Sequence, residues 1–116
     1  MSARMKRNWD LLRVLQKAPK AQRDAIIRSS SDDLVLAICE IIVNVLNGTV
    51  RLTPAQRKKL TIYKKILRSV ADRKLKSSTK KRLLIQKGGF LPAILTPVLA
   101  VVASLIGETI GSALRK

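Results

Sequence analysis

The sequence predicts an all-α protein: a small basic bundle of about four helices with a C-terminal hydrophobic helical tail. Three observations carry that prediction. Apolar residues recur at three- and four-residue spacings between positions 9 and 70. Helix start and stop signals stand at the ends of those runs. The composition then switches at a glycine pair, from "KKRLLIQK" before it to "FLPAILTPVLAVVASLIG" after it.

The elements follow in order. In "NWDLLRVLQKA", Trp9, Leu12 and Leu15 share one face with Leu11 alongside, and Pro19 closes the helix. "PKAQRDAIIRSS" reads as a short helix with Pro19 near its start and Ile26 and Ile27 turned inward. "SSDDLVLAICEIIVNVLNG" opens on a capping pattern, Ser30 with Asp33 three residues on, and stops at Asn47-Gly48. Its middle is apolar nearly all round, which belongs at the centre of a bundle.

The fourth helix is the best marked. "TPAQRKKLTIYKKILRSVADRK" has Thr53 as N-cap, Pro54 at the first helical position and Gln56 completing a capping box. Leu60, Tyr63, Leu67 and Val70 form its apolar stripe, widened by Ile62 and Ile66. "KLKSSTKKRLLIQK" reads as a Ser/Thr hinge and a short helix carrying Leu83 and Leu84. These readings divide the chain into a basic bundle over 1–76, a basic linker with the Gly-Gly junction over 77–89, and a hydrophobic tail over 90–116.

Composition argues against catalysis. The 116 residues contain no His, so the usual neutral-pH general base and metal ligand is missing. Cys39 is the single cysteine, which excludes an intrachain disulfide and a cysteine-based zinc site. The body's carboxylates are scattered, and no Gly-rich phosphate loop of the P-loop type is present. No enzyme activity and no cofactor or metal is expected. The charged N-terminus lacks the apolar run of a signal peptide, so a cytosolic or nuclear compartment is expected.

Charge points to a polyanion. The net charge is +17. From Arg51 to Lys87 there are fourteen Lys/Arg and one acid, Asp72, so this region cannot neutralise itself through i,i+4 pairs. The expected contacts are Arg57, Lys58, Lys64, Lys65, Arg68, Arg73, Lys74, Lys76, Lys80, Lys81, Arg82 and Lys87. No recognition helix with a base-reading pattern is evident, and three aromatic residues are too few for single-strand stacking. What remains is non-specific, salt-dependent contact with the phosphates of double-stranded DNA.

The tail raises a rival reading. Positions 90 to 107 carry no charge; as a helix they would span about 27 Å against a hydrocarbon core of about 30 Å. Pro92 and Pro97 weaken a membrane span without excluding it. The alternatives are a membrane-active minor capsid protein, a tail folded back on the body or self-associating into a homo-oligomer, and a scaffold whose tail docks on capsid proteins.

The junction "QKGGFLPAILTPVLAVVASLIG" resembles the precursor of the adenovirus core peptide mu (protein X), and similar basic proteins of adintoviruses and Polinton/Maverick elements. In that family a DNA-condensing basic region runs into Gly-Gly and then a hydrophobic stretch; Gly88, Gly89, Phe90, Leu91 and Pro92 are the matching residues here. The resemblance covers about 25 residues; the lysine-rich body departs from the short Arg/His-rich mu peptide. It implies a virion core protein in the host nucleus that binds and condenses DNA. It also implies a viral protease acting at Gln86, Lys87, Gly88, Gly89 and Phe90, with cleavage before Phe90.

Overall fold

The structure, a computed structural model, describes residues 2–100. The remainder of the tail, including the small-residue run "GETIGSA", lies outside the described residues. Among the described residues the all-α class holds, with more helices than the expected four: α1 (Ala3–Arg7), α2 (Trp9–Lys17), α3 (Lys20–Ser29), α4 (Asp32–Leu46), α5 (Pro54–Ala71) and α6 (Ser77–Lys87).

The additional N-terminal helix is a single capped turn and a little more. Ser2 accepts from the backbone N–H of Met5, and Met5 is the residue it buries. The cap of α4 sits one residue later than expected: Ser31 accepts from the N–H of Leu34. Asp33 is thereby free to serve another purpose. It receives both Arg7 Nε and a terminal nitrogen of Arg7, at 3.1 and 3.0 Å, together with Arg4 Nε and the Asn8 amide. This carboxylate fastens α1 to α4.

α4 is the central helix. Leu34, Val35, Ala37, Ile38, Cys39, Ile41, Ile42 and Val45 are buried, and the helix packs against α1, α5 and α6. Leu36 and Val43 stay exposed, so the helix has one solvent stripe. On α5 the stripe is narrower than the sequence suggests. Leu60, Leu67 and Val70 are buried, Tyr63 and Ile66 are half-buried, but Ile62 is 74% exposed.

The largest departure concerns the junction. Residues 77–89 are not a linker. α6 passes through a 3-10 turn at Gly88–Phe90 into a helical run over 91–100, giving one helical path from Ser77 to Ala100. The tail, as far as it is described, is core: Phe90, Leu91, Ile94, Leu95, Val98 and Leu99 are buried in the same cluster as Leu12, Leu15, Ile27 and Ile38. Tyr63 of α5 meets Phe90 with ring centroids 6.2 Å apart. At about 1.5–3 kcal/mol for each buried large side chain, these six residues contribute on the order of 10 kcal/mol. That is comparable to the whole stability of a small domain. Pro92 is accommodated because it falls in the first turn after the 3-10 bend, where a missing N–H costs little.

Candidate nucleic-acid interface

Two short connections and one helix face present the cations. The first connection follows α4 and is held at both ends. Gly48 adopts φ +73°, its N–H donating to the carbonyl of Val45 and that of Thr49 to Asn44. This is the paired hydrogen bonding of a Schellman stop, which a glycine in the left-handed region makes possible. At the other end the expected capping box is present: Thr53 N–H donates to Gln56 Oε1 at 2.9 Å, and Gln56 N–H to Thr53 Oγ1 at 3.2 Å. Between them Val50 and Leu52 pack on the core, and Arg51 is exposed.

The second connection joins α5 to α6. Asp72 Oδ1 accepts from the N–H of Lys74, and the Asp72 carbonyl accepts from the N–H of Leu75. Leu75 is half-buried and anchors the turn, leaving Arg73, Lys74 and Lys76 exposed. Asp72, the one acid of the basic region, is therefore spent on turn geometry.

On α5 the cations form adjoining stripes. Arg57, Thr61, Lys64 and Arg68 follow at spacings of four, three and four, with Lys58 and Lys65 alongside. All except Thr61 are cations, and all are exposed. Among the described residues the ion pairs are Arg4 and Arg7 with Asp33, and Lys20 with Asp24. None involves a base between Arg51 and Lys87, so that region has no ion pair to neutralise it.

Of the twelve expected contacts, ten are exposed: Arg57, Lys58, Lys64, Lys65, Arg68, Arg73, Lys74, Lys76, Arg82 and Lys87. Two are placed otherwise. Lys80 is 5% exposed and donates to Cys39 Sγ at 3.4 Å, inside the α4–α6 contact. Lys81 is half-buried and donates to the carbonyl of Ser30. Arg51 and Lys59 were missed, although both are exposed. The sign of Arg51 in the sequence is its place between two apolar residues, an alternation that points it outward.

The expected cleavage junction is helical rather than extended. Gln86, Lys87 and Gly89 are exposed, whereas Gly88 and Phe90 are buried. The Leu91 N–H donates to the Gly88 carbonyl. A protease that reads an extended strand meets folded backbone here.

No known family model, curated protein or solved structure matches this chain.

Proposed function

We propose that this protein binds double-stranded DNA non-specifically through its phosphates, as a genome-packaging component of an adenovirus-like virion core. The observation that carries the reading is the uncompensated basic surface: eleven exposed cations on α5, α6 and the connection between them, none of them in an ion pair among the described residues. Counterion release from DNA by such a surface supplies affinity without sequence preference. The core-protein assignment rests on the junction's resemblance to the mu precursor.

The membrane-active reading has one observation on its side, since the helix Ser77–Ala100 is long and apolar enough to cross a bilayer. Half of that apolar window is buried in the protein, and its largest side chains serve the core. Soluble core helices have this character, which favours the DNA reading.

The test is binding to two short duplexes of unrelated sequence, with anionic vesicles in parallel. The proposal expects equal affinity for the duplexes and no vesicle leakage. A strong preference for one duplex, or leakage without DNA binding, contradicts it.

A further inference from the structure

The cavities of the molecule differ in charge. One between α4 and α6 holds Arg4, Arg73 and Lys80 but also Glu40; Arg4 is paired with Asp33 and Lys80 faces Cys39. One beside α2 holds Arg13 and Lys17. One between α5 and the 91–100 run has Lys59 alone as a cation. The groove between the 47–53 connection and α5 is different. Its volume is about 300 Å³, and it is lined by Arg51, Arg57 and Lys64 with Thr61, whose hydroxyl donates to the Arg57 carbonyl at 3.0 Å. No acid lines it, and its floor is apolar, formed by Val45, Leu46 and Leu60.

We infer that this groove is the anchoring site for a phosphate of the bound polyanion, with Arg51, Arg57 and Lys64 as its cationic ligands. The inference rests on the DNA-binding reading and deepens it by separating an anchoring site from a diffuse surface. Two physical arguments support it. First, the site is preorganised: the Schellman stop and the capping box fix both ends of the connection, and Val50 and Leu52 tie it down. Little backbone entropy remains to be lost when Arg51 engages an anion. Of the other cations of α5, Lys58, Lys65 and Arg68 are exposed and line none of these cavities. Second, the three cations line one groove over an apolar floor, so they can act together on one anion where dispersed surface cations act singly. The two guanidinium groups add bidentate geometry that lysine cannot supply.

The experiment compares single-charge removals in the full chain. Arg51→Ala and Arg57→Ala should each weaken duplex binding about tenfold, the loss expected for a charge-assisted phosphate contact. Lys74→Ala and Lys87→Ala, which remove the same charge outside the groove, should cost about two- to threefold. Arg51→Lys should recover only part of the loss. Equal losses at all four alanine positions overturn the inference while leaving DNA binding intact. Inorganic pyrophosphate titrated into the wild-type protein supplies a second readout that needs no variant. Side-chain NMR shifts should concentrate at Arg51 and Arg57. Shifts spread evenly over the basic surface overturn the site. Shifts in the groove without duplex binding would retain the anion site and remove the DNA reading instead.

Discussion

Lys80 Nζ donates to Cys39 Sγ across 3.4 Å, joining α6 to α4 inside the bundle. A long basic side chain is thereby withdrawn from the surface and directed at a weak acceptor. Lys80→Met keeps an unbranched apolar stem, one atom shorter, and removes the buried amine. Stability should be unchanged or raised by about 1 kcal/mol in a denaturant titration. The salt slope of DNA binding should not move, whereas Lys64→Met should reduce it by about one. A reduced slope for Lys80→Met would mean that the amine reaches phosphate.

Asp33 should make the contact between α1 and α4 sensitive to acid. The hydrogen bond from Arg7, then that from Asn8, holds its carboxyl well below the usual carboxylate range, with Arg4 and the Arg7 charge adding to the effect and desolvation opposing it. A depressed folded-state value means stability that is fully present above the ordinary carboxylate pKa, about 3.9, and lost progressively as pH falls from there through the folded-state value. Thermal melts of wild type and Asp33→Asn should therefore differ near neutrality, with wild type the more stable. The difference should begin to shrink below about pH 4 and close only on further acidification toward the depressed folded-state value. A difference that persists unchanged in acid would show that Asp33 does not act through its charge.

Neither glycine of the junction is required by packing. A Cβ at Gly88 would stand 3.7 Å from Leu91 Cδ1 and 3.9 Å from Arg23 Nε, and one at Gly89 would meet nothing within 4 Å. Neither residue has positive φ. Gly88→Ala and Gly89→Ala should each stabilise the protein by about 0.4–1 kcal/mol, because alanine loses less backbone entropy in helical geometry. Gly48→Ala, at φ +73°, should instead destabilise it. Destabilisation at position 89 would contradict the helical path from Ser77 to Ala100.

Leu95 is fully buried within the segment the sequence reading set apart as a tail. Leu95→Ala should cost about 2–5 kcal/mol, as for other core truncations. A chain ending at Gly89 should lose cooperative unfolding. A stable, cooperative protein ending at Gly89 would restore the separate body and tail.

The sequence made the bundle legible where local chemistry decides it. Thr53, Pro54 and Gln56 mark the start of α5, and Asn47-Gly48 marks the end of α4, because caps and stops are short-range interactions. Burial was read less well. Lys80 stands one turn before buried Leu84, on the inward side of α6, yet residue type suggested a surface cation. Ile62 was given to the core by type, although it stands off the buried arc of α5. The tail's own periodicity was present: Phe90, Leu91, Ile94, Leu95 and Val98 repeat at helical spacing, with Thr96 and Ala100 facing out. The sequence holds a return to the body and a membrane span side by side, because an uncharged amphipathic helix fits both. Of the candidate interface, the α5 stripe was readable from charge alone. The groove was not, because it depends on Arg51 being brought beside Arg57 and Lys64 by the fold.

The salt dependence of duplex binding tests the central claim most directly. If about six to ten of the exposed cations contact phosphates, log Kobs should fall linearly with log salt at a slope of about −5 to −9. Affinity should then drop about 10³- to 10⁵-fold between about 50 and 200 mM salt. Binding that is indifferent to salt, or no binding at the lowest salt, would contradict the account.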